Sequence, residues 1–222
     1  MIRTLVLSSI TLFGFFLSQQ PGIAQTLSFE LQGMAGPGIT AGNEPGDTID
    51  GGTGGLGPNG ISVNLSTGVV SIDVVWGSKN GFTDLSSDID FMNIHGPTSQ
   101  VAGDNFAENG DTFAGLSGFD ASASSGGYAG DTDFSGSLAG LLEGRYYVHL
   151  HTIVNNGGEA RGYMIPEVVV GDVNNDGIIN LLDVGPFVDA ISSGEFVDEA
   201  DTNRDGVVNL LDITLMITLL SG

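Results

Sequence analysis

Two stretches near the C-terminus, DVNNDGIINLLD at 172–183 and DTNRDGVVNLLD at 201–212, repeat one 12-residue pattern. Oxygen-bearing residues recur at positions 1, 3, 5, 9 and 12, and glycine recurs at position 6, where a calcium loop turns sharply. Ca²⁺ takes about six to eight oxygen ligands, one of them the position-7 carbonyl, so the spacing predicts two calcium sites. The alternative, a pair of metal-free Asn/Asp-Gly turns, does not explain the shared Asn-Leu-Leu-Asp ending. The predicted ligands are Asp172, Asn174, Asp176, the Ile178 carbonyl, Asn180 and Asp183, and then Asp201, Asn203, Asp205, the Val207 carbonyl, Asn209 and Asp212.

The residues around each loop differ from those of an ordinary EF-hand. Position 12 is Asp rather than Glu, and residues 160–171 before the first loop are strand-like and contain a proline. After each loop, apolar residues recur at helical spacing, which predicts one helix after each loop. This repeat of loop and helix resembles a dockerin domain, and the resemblance covers residues 171–222.

The resemblance to dockerins implies a docking function. Dockerins are calcium-dependent modules that bind cohesin domains, and in that family loop positions 10 and 11 help to select the cohesin. Here those positions are leucines, where the commonest cellulosomal pattern is Ser-Thr. The implied partner is a cohesin-like domain or another extracellular protein, and the alternative is that one leucine of each pair belongs to the core. The four residues are Leu181, Leu182, Leu210 and Leu211.

The chain is strongly acidic. Its 222 residues include 5 Lys+Arg and 27 Asp+Glu, for a net charge of −22. This balance argues against nucleic acid and anionic membrane surfaces as partners, because both require a basic patch. The hydrophobic fraction of 41% is enough for a core. Because cysteine is absent, a secreted form must be stabilised by its core and its metals.

The N-terminus predicts a secretory signal peptide over residues 1–24. Arg3 precedes an apolar stretch from Leu5 to Leu17, and small residues precede a cleavage point after Ala24. The apolar stretch is shorter than the ~20 residues that a membrane-spanning helix needs. We therefore expect a secreted protein, extracellular or at the cell surface, without a transmembrane segment after cleavage.

Residues 27–165 are predicted to be mainly β-structure. Short apolar runs separated by Gly-rich turns are typical of an antiparallel sandwich or barrel. Residues 36–60 are rich in Gly, Pro and Asn and are expected to form a loop, and Ser137–Glu143 is expected to form one or two helical turns. The predicted strands are Thr26–Gln32, Ile61–Leu65, Val69–Trp76, Ile89–Ile94, Tyr146–Thr152 and Glu159–Ile165.

Three motifs within this region resemble the CHRD domain, a family named from chordin and widespread in bacterial secreted proteins. They are IHGP at 94–97, GRYYVHLHT at 144–152 and GGEARG at 157–162. The family often has His where this chain has Asn93, and over residues 27–89 only strand and glycine content agree. The resemblance implies a β-sandwich module without an established catalytic activity.

All three histidines of the chain, His95, His149 and His151, lie in this region. His149 and His151 alternate on one strand and so share a face, and with His95 they could bind copper or zinc. The pattern is similar to copper/zinc superoxide dismutase, but that enzyme has more histidines and a disulfide. We therefore favour hydrogen bonds from His95 and His151 to backbone or carboxylate groups.

Catalytic patterns are weak in this sequence. Glu159 and Arg161 share a strand face and are interpreted as a structural pair. Acidic residues are plentiful, but no spacing singles out the two carboxylates of a glycosidase. The sequence also lacks a Gly-x-Ser-x-Gly elbow, a His-Glu-x-x-His helix and a phosphate-binding loop.

The resulting architecture is mainly β, followed by a small α-helical domain. A signal peptide (1–24), a CHRD-like antiparallel β-sandwich (27–165) and a linker (166–170) precede a dockerin-like domain (171–222) with two EF-hand-type calcium loops. The leading hypothesis is a secreted non-catalytic protein that docks through its C-terminal module and displays the β-domain for binding or adhesion. The alternatives are a polysaccharide-degrading or carbohydrate-binding component, a copper/zinc redox protein that uses the histidines, and an intramolecular calcium clamp.

Overall fold

The computed structural model of the protein describes residues 26–46, 51–99, 106–176 and 178–221, so the predicted signal peptide lies outside them. The described residues form nine strands and three helices. The strands are Thr26–Gln32 (β1), Ile39–Thr40 (β2), Thr53–Asn64 (β3), Val69–Trp76 (β4), Ile89–His95 (β5), Thr112–Leu116 (β6), Gly126–Asp133 (β7), Tyr147–Thr152 (β8) and Ala160–Pro166 (β9). The helices are Leu138–Leu142 (α1), Val184–Ser193 (α2) and Ile213–Leu220 (α3).

The strands form one antiparallel sheet in the order β6-β5-β8-β9-β1-β3-β4-β7, and β2 pairs with β3 and β9. The predicted antiparallel character is confirmed, but hydrogen bonds connect all the strands in one sheet rather than in two. Phe113 of β6 stacks on Phe134, the residue after β7, with ring centroids 4.4 Å apart. The two ends of the sheet therefore meet, and the sheet curls around a single hydrophobic core.

Both predicted hairpins are present. β3 and β4 pair up to Asn64 and Val69, beside the expected turn, and β8 and β9 flank the Asn-Asn-Gly-Gly segment. On β4 every second side chain is at most 1% exposed, because successive residues of a strand point to opposite faces. These core residues are Val70, Ile72, Val74 and Trp76.

The expectation of a loop over residues 36–60 is wrong, since β2 lies in this segment and β3 begins at Thr53. Gly54 explains why the beginning of β3 lacks the alternating apolar residues of a recognisable strand. A Cβ atom at this position would lie 2.4 Å from the Val75 carbonyl oxygen on the neighbouring strand. Close backbone approach thus requires glycine inside a strand, where glycine otherwise suggests a turn.

The C-terminal region has its own hydrophobic cluster. α2 and α3 confirm the helices predicted after the two loops, and α1 confirms the helical turns predicted at 137–143. None of the described helices has the length and apolar character needed to cross a membrane. The second cluster consists of Val173, Phe187, Ala190, Ala200, Val208 and Met216.

Strand β8 is buried on both faces. Val148 and Leu150 belong to the hydrophobic core, so the alternating residues between them lie on the opposite face. Cross-strand pairing places residues of β5 and β9 beside them. We call this second buried surface the polar layer; it consists of Asn93, His95, Tyr147, His149, His151, Arg161 and Tyr163.

Candidate functional site

The described parts of the two acidic loops share a left-handed residue at the same position. The fourth residue of each loop has a positive φ, 55° at Asn175 and 57° at Arg204, and Gly206 at position 6 of the second loop has a φ of 83°. Gly177, the equivalent glycine of the first loop, lies outside the described residues. The left-handed conformation is unfavourable for most residues other than glycine, so its occurrence at both fourth positions indicates that both loops require the same turn.

The aspartate at position 12 closes each loop. Asp183 accepts hydrogen bonds from the backbone N–H groups of Asn174 (3.0 Å) and Asn180 (2.8 Å). Asp212 makes the equivalent bonds to positions 3 and 9 of the second loop, at 3.1 and 2.8 Å. Both aspartates are completely buried, so each loop wraps around a carboxylate at its end.

Hydrogen bonds within each loop also connect the other predicted ligands. The backbone N–H of position 5 donates to the side-chain oxygens of positions 1 and 3, and the asparagine amide at position 9 donates to the carbonyl at position 7. These three contacts measure 3.0, 2.9 and 3.2 Å in the first loop and 3.1, 2.9 and 3.3 Å in the second. The two loops thus share one pattern of internal hydrogen bonds, and calcium binding by these residues remains a prediction.

The charge of this region favours a bound cation. Ten acidic residues and one basic residue, Arg204, lie between Asp172 and Asp212. Burying carboxylates among like charges is costly unless a cation compensates them. The predicted ligand atoms of both loops are all oxygens. They therefore fit a hard ion such as Ca²⁺ better than a softer transition metal.

The four leucines at positions 10 and 11 are exposed. Leu181 and Leu182 are 79% and 68% accessible, and Leu210 and Leu211 are 70% and 68% accessible. The alternative that one leucine of each pair is a core residue is therefore wrong. Val188 of α2 and Ile217 of α3, which occupy equivalent positions in the two repeats, are also exposed.

The three histidines meet in the polar layer. β5 pairs with β8 so that His95 lies opposite Tyr147 and Asn93 lies opposite His149. One ligand nitrogen from each histidine lies within 4.8 Å of the others. His149 and His151 are buried, whereas His95 is partly exposed at the edge of the cluster.

Backbone carbonyls orient two of these rings. Nδ1 of His95 lies 2.8 Å from the Gly110 oxygen, and Nδ1 of His151 lies 2.9 Å from the Asn156 oxygen, which confirms the predicted hydrogen bonds to the backbone. Burial lowers the pKa of His151 to about 4 and also lowers the pKa of His95. Both rings are therefore neutral at pH 7. The Gly110 carbonyl places the proton of His95 on Nδ1, which leaves a lone pair on Nε2. Nε2 of His151 lies 3.1 Å from the Asn93 side-chain oxygen, so both ring nitrogens of His151 have a hydrogen-bond partner.

Two further residues complete this cluster. Oε2 of Glu44 lies 3.0 Å from Nε2 of His149 and 3.8 Å from Nε of Arg161. Burial alone would raise the pKa of Glu44, but His149 and Arg161 hold it below its ordinary value. Arg161 is completely buried, donates to the Asn43 and Phe106 carbonyls, and stacks over a tyrosine ring of the layer.

The predicted pairing of Glu159 with Arg161 is wrong. Glu159 accepts hydrogen bonds from the Gly52 backbone and from Ser86 and Thr152, while Arg161 takes carbonyls and Glu44 as partners. Glu44 is a further member of the cluster that was not predicted from the sequence. This residue follows β2 in the segment predicted as a loop, and no local pattern there indicates that it reaches the histidines.

Comparison with known proteins identifies the C-terminal region alone. Residues 170–221 match the family described as Dockerin type I domain. No curated protein and no solved structure matches the chain, and the resemblance of residues 27–165 to CHRD domains is not supported by a family match. Dockerin type I domains bind calcium and dock onto cohesin partners, and proteins that carry them are typically extracellular or at the cell surface. Residues 170–221 of this chain are therefore a dockerin type I domain.

Proposed function

We propose that this chain is a secreted, non-catalytic protein whose dockerin domain folds around two calcium ions and docks onto a cohesin-like domain. The observation that carries the proposal is the identity of the two loops. Each has a buried aspartate at position 12 that accepts the same backbone hydrogen bonds, and each has the same left-handed fourth residue. The proposed ligands are the twelve residues that the loop pattern selects.

The docking face in this proposal is formed by the four exposed leucines. Each pair lies between the oxygen donors at positions 9 and 12 of its loop, directly before the following helix. Calcium would hold each loop closed and so fix the position of its leucines. Exposed apolar side chains grouped on a small domain are typical of a protein-binding surface. Val188 and Ile217 extend this surface along the two helices.

In this proposal, the dockerin domain attaches the β-domain to the partner protein. Its hydrophobic cluster ends at Met164 and the second cluster begins at Val173, which supports separate domains at 27–165 and 171–222 joined by residues 166–170. We infer from the CHRD-like motifs that the β-domain is a binding or adhesion module. Detection of polysaccharide turnover by the purified chain would instead favour a catalytic role.

A binding assay against purified cohesin domains tests the docking proposal. We expect at least one cohesin to bind the whole chain in millimolar calcium and to dissociate in EGTA. Changing all four leucines to serine should weaken this binding at least tenfold, which corresponds to about 1.4 kcal/mol.

The control for that assay replaces exposed apolar residues elsewhere. Ile153 and Val154, in the turn between β8 and β9, are 65% and 69% accessible. The Ile153→Ser/Val154→Ser variant should bind like the wild type. Binding that survives EGTA, or equal binding by the four-leucine variant and the wild type, would contradict the proposed docking face.

A further inference from the structure

We propose that His95, His149 and His151 form a third metal site, separate from the calcium loops, that binds one divalent transition-metal ion such as Zn²⁺ or Cu²⁺. These are all the histidines of the chain. They come from two strands, and one ring nitrogen from each lies within 4.8 Å of the others. This inference does not depend on the docking proposal.

Unpartnered buried atoms are concentrated at this point. Among the described residues, five buried side-chain nitrogen or oxygen atoms have no hydrogen-bond partner, and four of these belong to the cluster. They are Nε2 of His95, both ring nitrogens of His149, and Oε2 of Glu44, which lies near His149 but outside hydrogen-bonding geometry. Buried polar atoms are normally paired. A metal ion would take Nε2 of His95 and one ring nitrogen of His149, and the other nitrogen of His149 would then donate its proton to the Glu44 carboxylate beside it.

The surrounding groups orient the rings as metal sites require. Metal-binding histidines usually donate their second ring N–H to a carbonyl or a carboxylate, which fixes the tautomer. The Gly110 carbonyl takes the Nδ1 proton of His95, so the Nε2 lone pair of His95 is available. The Asn156 carbonyl lies in the same way beside Nδ1 of His151, and a metal ion would replace the present 3.1 Å contact of His151 Nε2 with the Asn93 side chain. Glu44 supplies the carboxylate beside His149. Gly158 leaves space for this ring, since a Cβ atom there would lie 2.0 Å from Nε2 of His149.

The chemistry of the donors selects the class of metal. Imidazole nitrogens favour zinc and copper, whereas calcium requires oxygen. In a tetrahedral zinc site with zinc–nitrogen bonds of ~2.0–2.1 Å, two ligand nitrogens lie about 3.4 Å apart. The three rings, whose ligand nitrogens lie within 4.8 Å of one another, would therefore move inward when the ion binds. Three protein ligands leave a fourth position, on the side where His95 is partly exposed.

The positive charge of Arg161 would repel a metal ion, but neighbouring groups compensate this charge. Its guanidinium donates to the carbonyls of Asn43, Phe106 and Glu108 and lies 3.8 Å from Glu44. The Glu44 carboxylate, which lies next to both His149 and Arg161, reduces the repulsion between the guanidinium and a cation. The pair of opposite charges leaves the site close to neutral before the metal binds.

Metal titration of the whole, tag-free chain tests this site. The chain is treated with chelator, saturated with calcium so that the acidic loops are occupied, and titrated with Zn²⁺ by calorimetry and with Cu²⁺ by electron paramagnetic resonance. We expect one equivalent of each metal to bind, with nitrogen hyperfine structure in the copper spectrum. His95→Ala and His151→Ala should each weaken binding by at least the roughly 10–100-fold that loss of an outer-sphere partner costs.

The control is Tyr163→Phe, which alters the polar layer by removing a hydroxyl that donates to the Glu108 carbonyl. This variant should bind both metals like the wild type. His95 lies at the partly exposed edge, so His95→Ala tests the site even if His151→Ala fails to fold. Equal affinity of the wild type and His95→Ala, or binding that disappears once calcium is present, would overturn the proposal.

Discussion

Glu159 is a completely buried carboxylate whose environment is built from hydrogen bonds rather than from an opposite charge. The Gly52 and Ser86 backbone N–H groups donate to Oε1 at 2.9 and 2.7 Å, and the Thr152 hydroxyl donates to Oε2 at 2.7 Å. Burial alone would raise the pKa of Glu159, but these bonds outweigh it and hold the pKa below its ordinary value of 4.5. The residue connects three separate segments through one side chain.

Replacing Glu159 with Gln should therefore destabilise the β-domain. The amide cannot accept all of these bonds, and leaving buried donors without an acceptor costs ~1–3 kcal/mol. Because the folded pKa is the lower one, the carboxylate contributes stability above the unfolded value of 4.5 and loses it as the pH falls through the folded pKa. Urea unfolding of the wild type and the variant at a series of pH values measures the difference between their free energies of unfolding. This difference should be largest at pH 7 and should decrease in acid.

The exposed Glu30 on β1 provides the control. Glu30→Gln should unfold at nearly the same urea concentration as the wild type at pH 7. A Glu159→Gln protein as stable as the wild type at neutral pH would show that the hydrogen-bond network around Glu159 contributes nothing to stability.

At the scale of secondary-structure elements, the sequence predicted the strands that alternate and the hairpins with recognisable turns. β4 was evident because Val70, Ile72 and Val74 recur at every second position. The beginning of β3 and the whole of β2, β6 and β7 were missed. In β3 and β7 the glycines lie close to neighbouring atoms, and the strand identity of both segments comes from pairing with β4. No local pattern carries that information, since it depends on a neighbour that is distant in the sequence.

Gly54 on β3 should not tolerate a side chain. The Gly54→Ala substitution would place a Cβ atom 2.4 Å from the Val75 oxygen and 3.1 Å from the Trp76 Cβ atom. Backbone shifts to relieve this overlap should cost about 1–3 kcal/mol, as overpacking does elsewhere. Thermal or urea unfolding of the variant measures the loss.

Gly115 on β6 is the matched control, since no neighbouring atom lies within 4 Å of a Cβ atom built there. We expect Gly115→Ala to retain the stability of the wild type. If Gly54→Ala were as stable as Gly115→Ala, the close approach between β3 and β4 would not be the reason for glycine at position 54.

At the scale of the whole molecule, the two sites differ in how far the sequence could predict them. All predicted ligands of each calcium loop lie within 12 consecutive residues, so spacing alone selected them. The histidine cluster joins β5 to β8 across more than fifty residues and also requires Glu44. Its convergence therefore depends on strand pairing, which sequence spacing does not reveal.

The distribution of charge over the molecule predicts that the dockerin domain depends on cations. Most of its acidic residues repel one another, and the hydrophobic cluster that unites α2 and α3 is small. Ligand binding to the folded state alone stabilises a protein by mass action. Calcium should therefore contribute much of the folding free energy of this domain, whereas the β-domain has an extensive core of its own.

Calorimetric titration of the chelator-treated whole chain with Ca²⁺, followed in parallel by far-ultraviolet circular dichroism, tests this account most directly. We predict two binding sites and a gain of helical signal from α2 and α3, both lost in the Asp183→Asn/Asp212→Asn variant. The exposed-residue control, Asp189→Asn/Asp198→Asn, should behave like the wild type. Absence of calcium binding, or binding unaffected by the Asp183→Asn/Asp212→Asn changes, would contradict the central claim that the two loops are calcium sites.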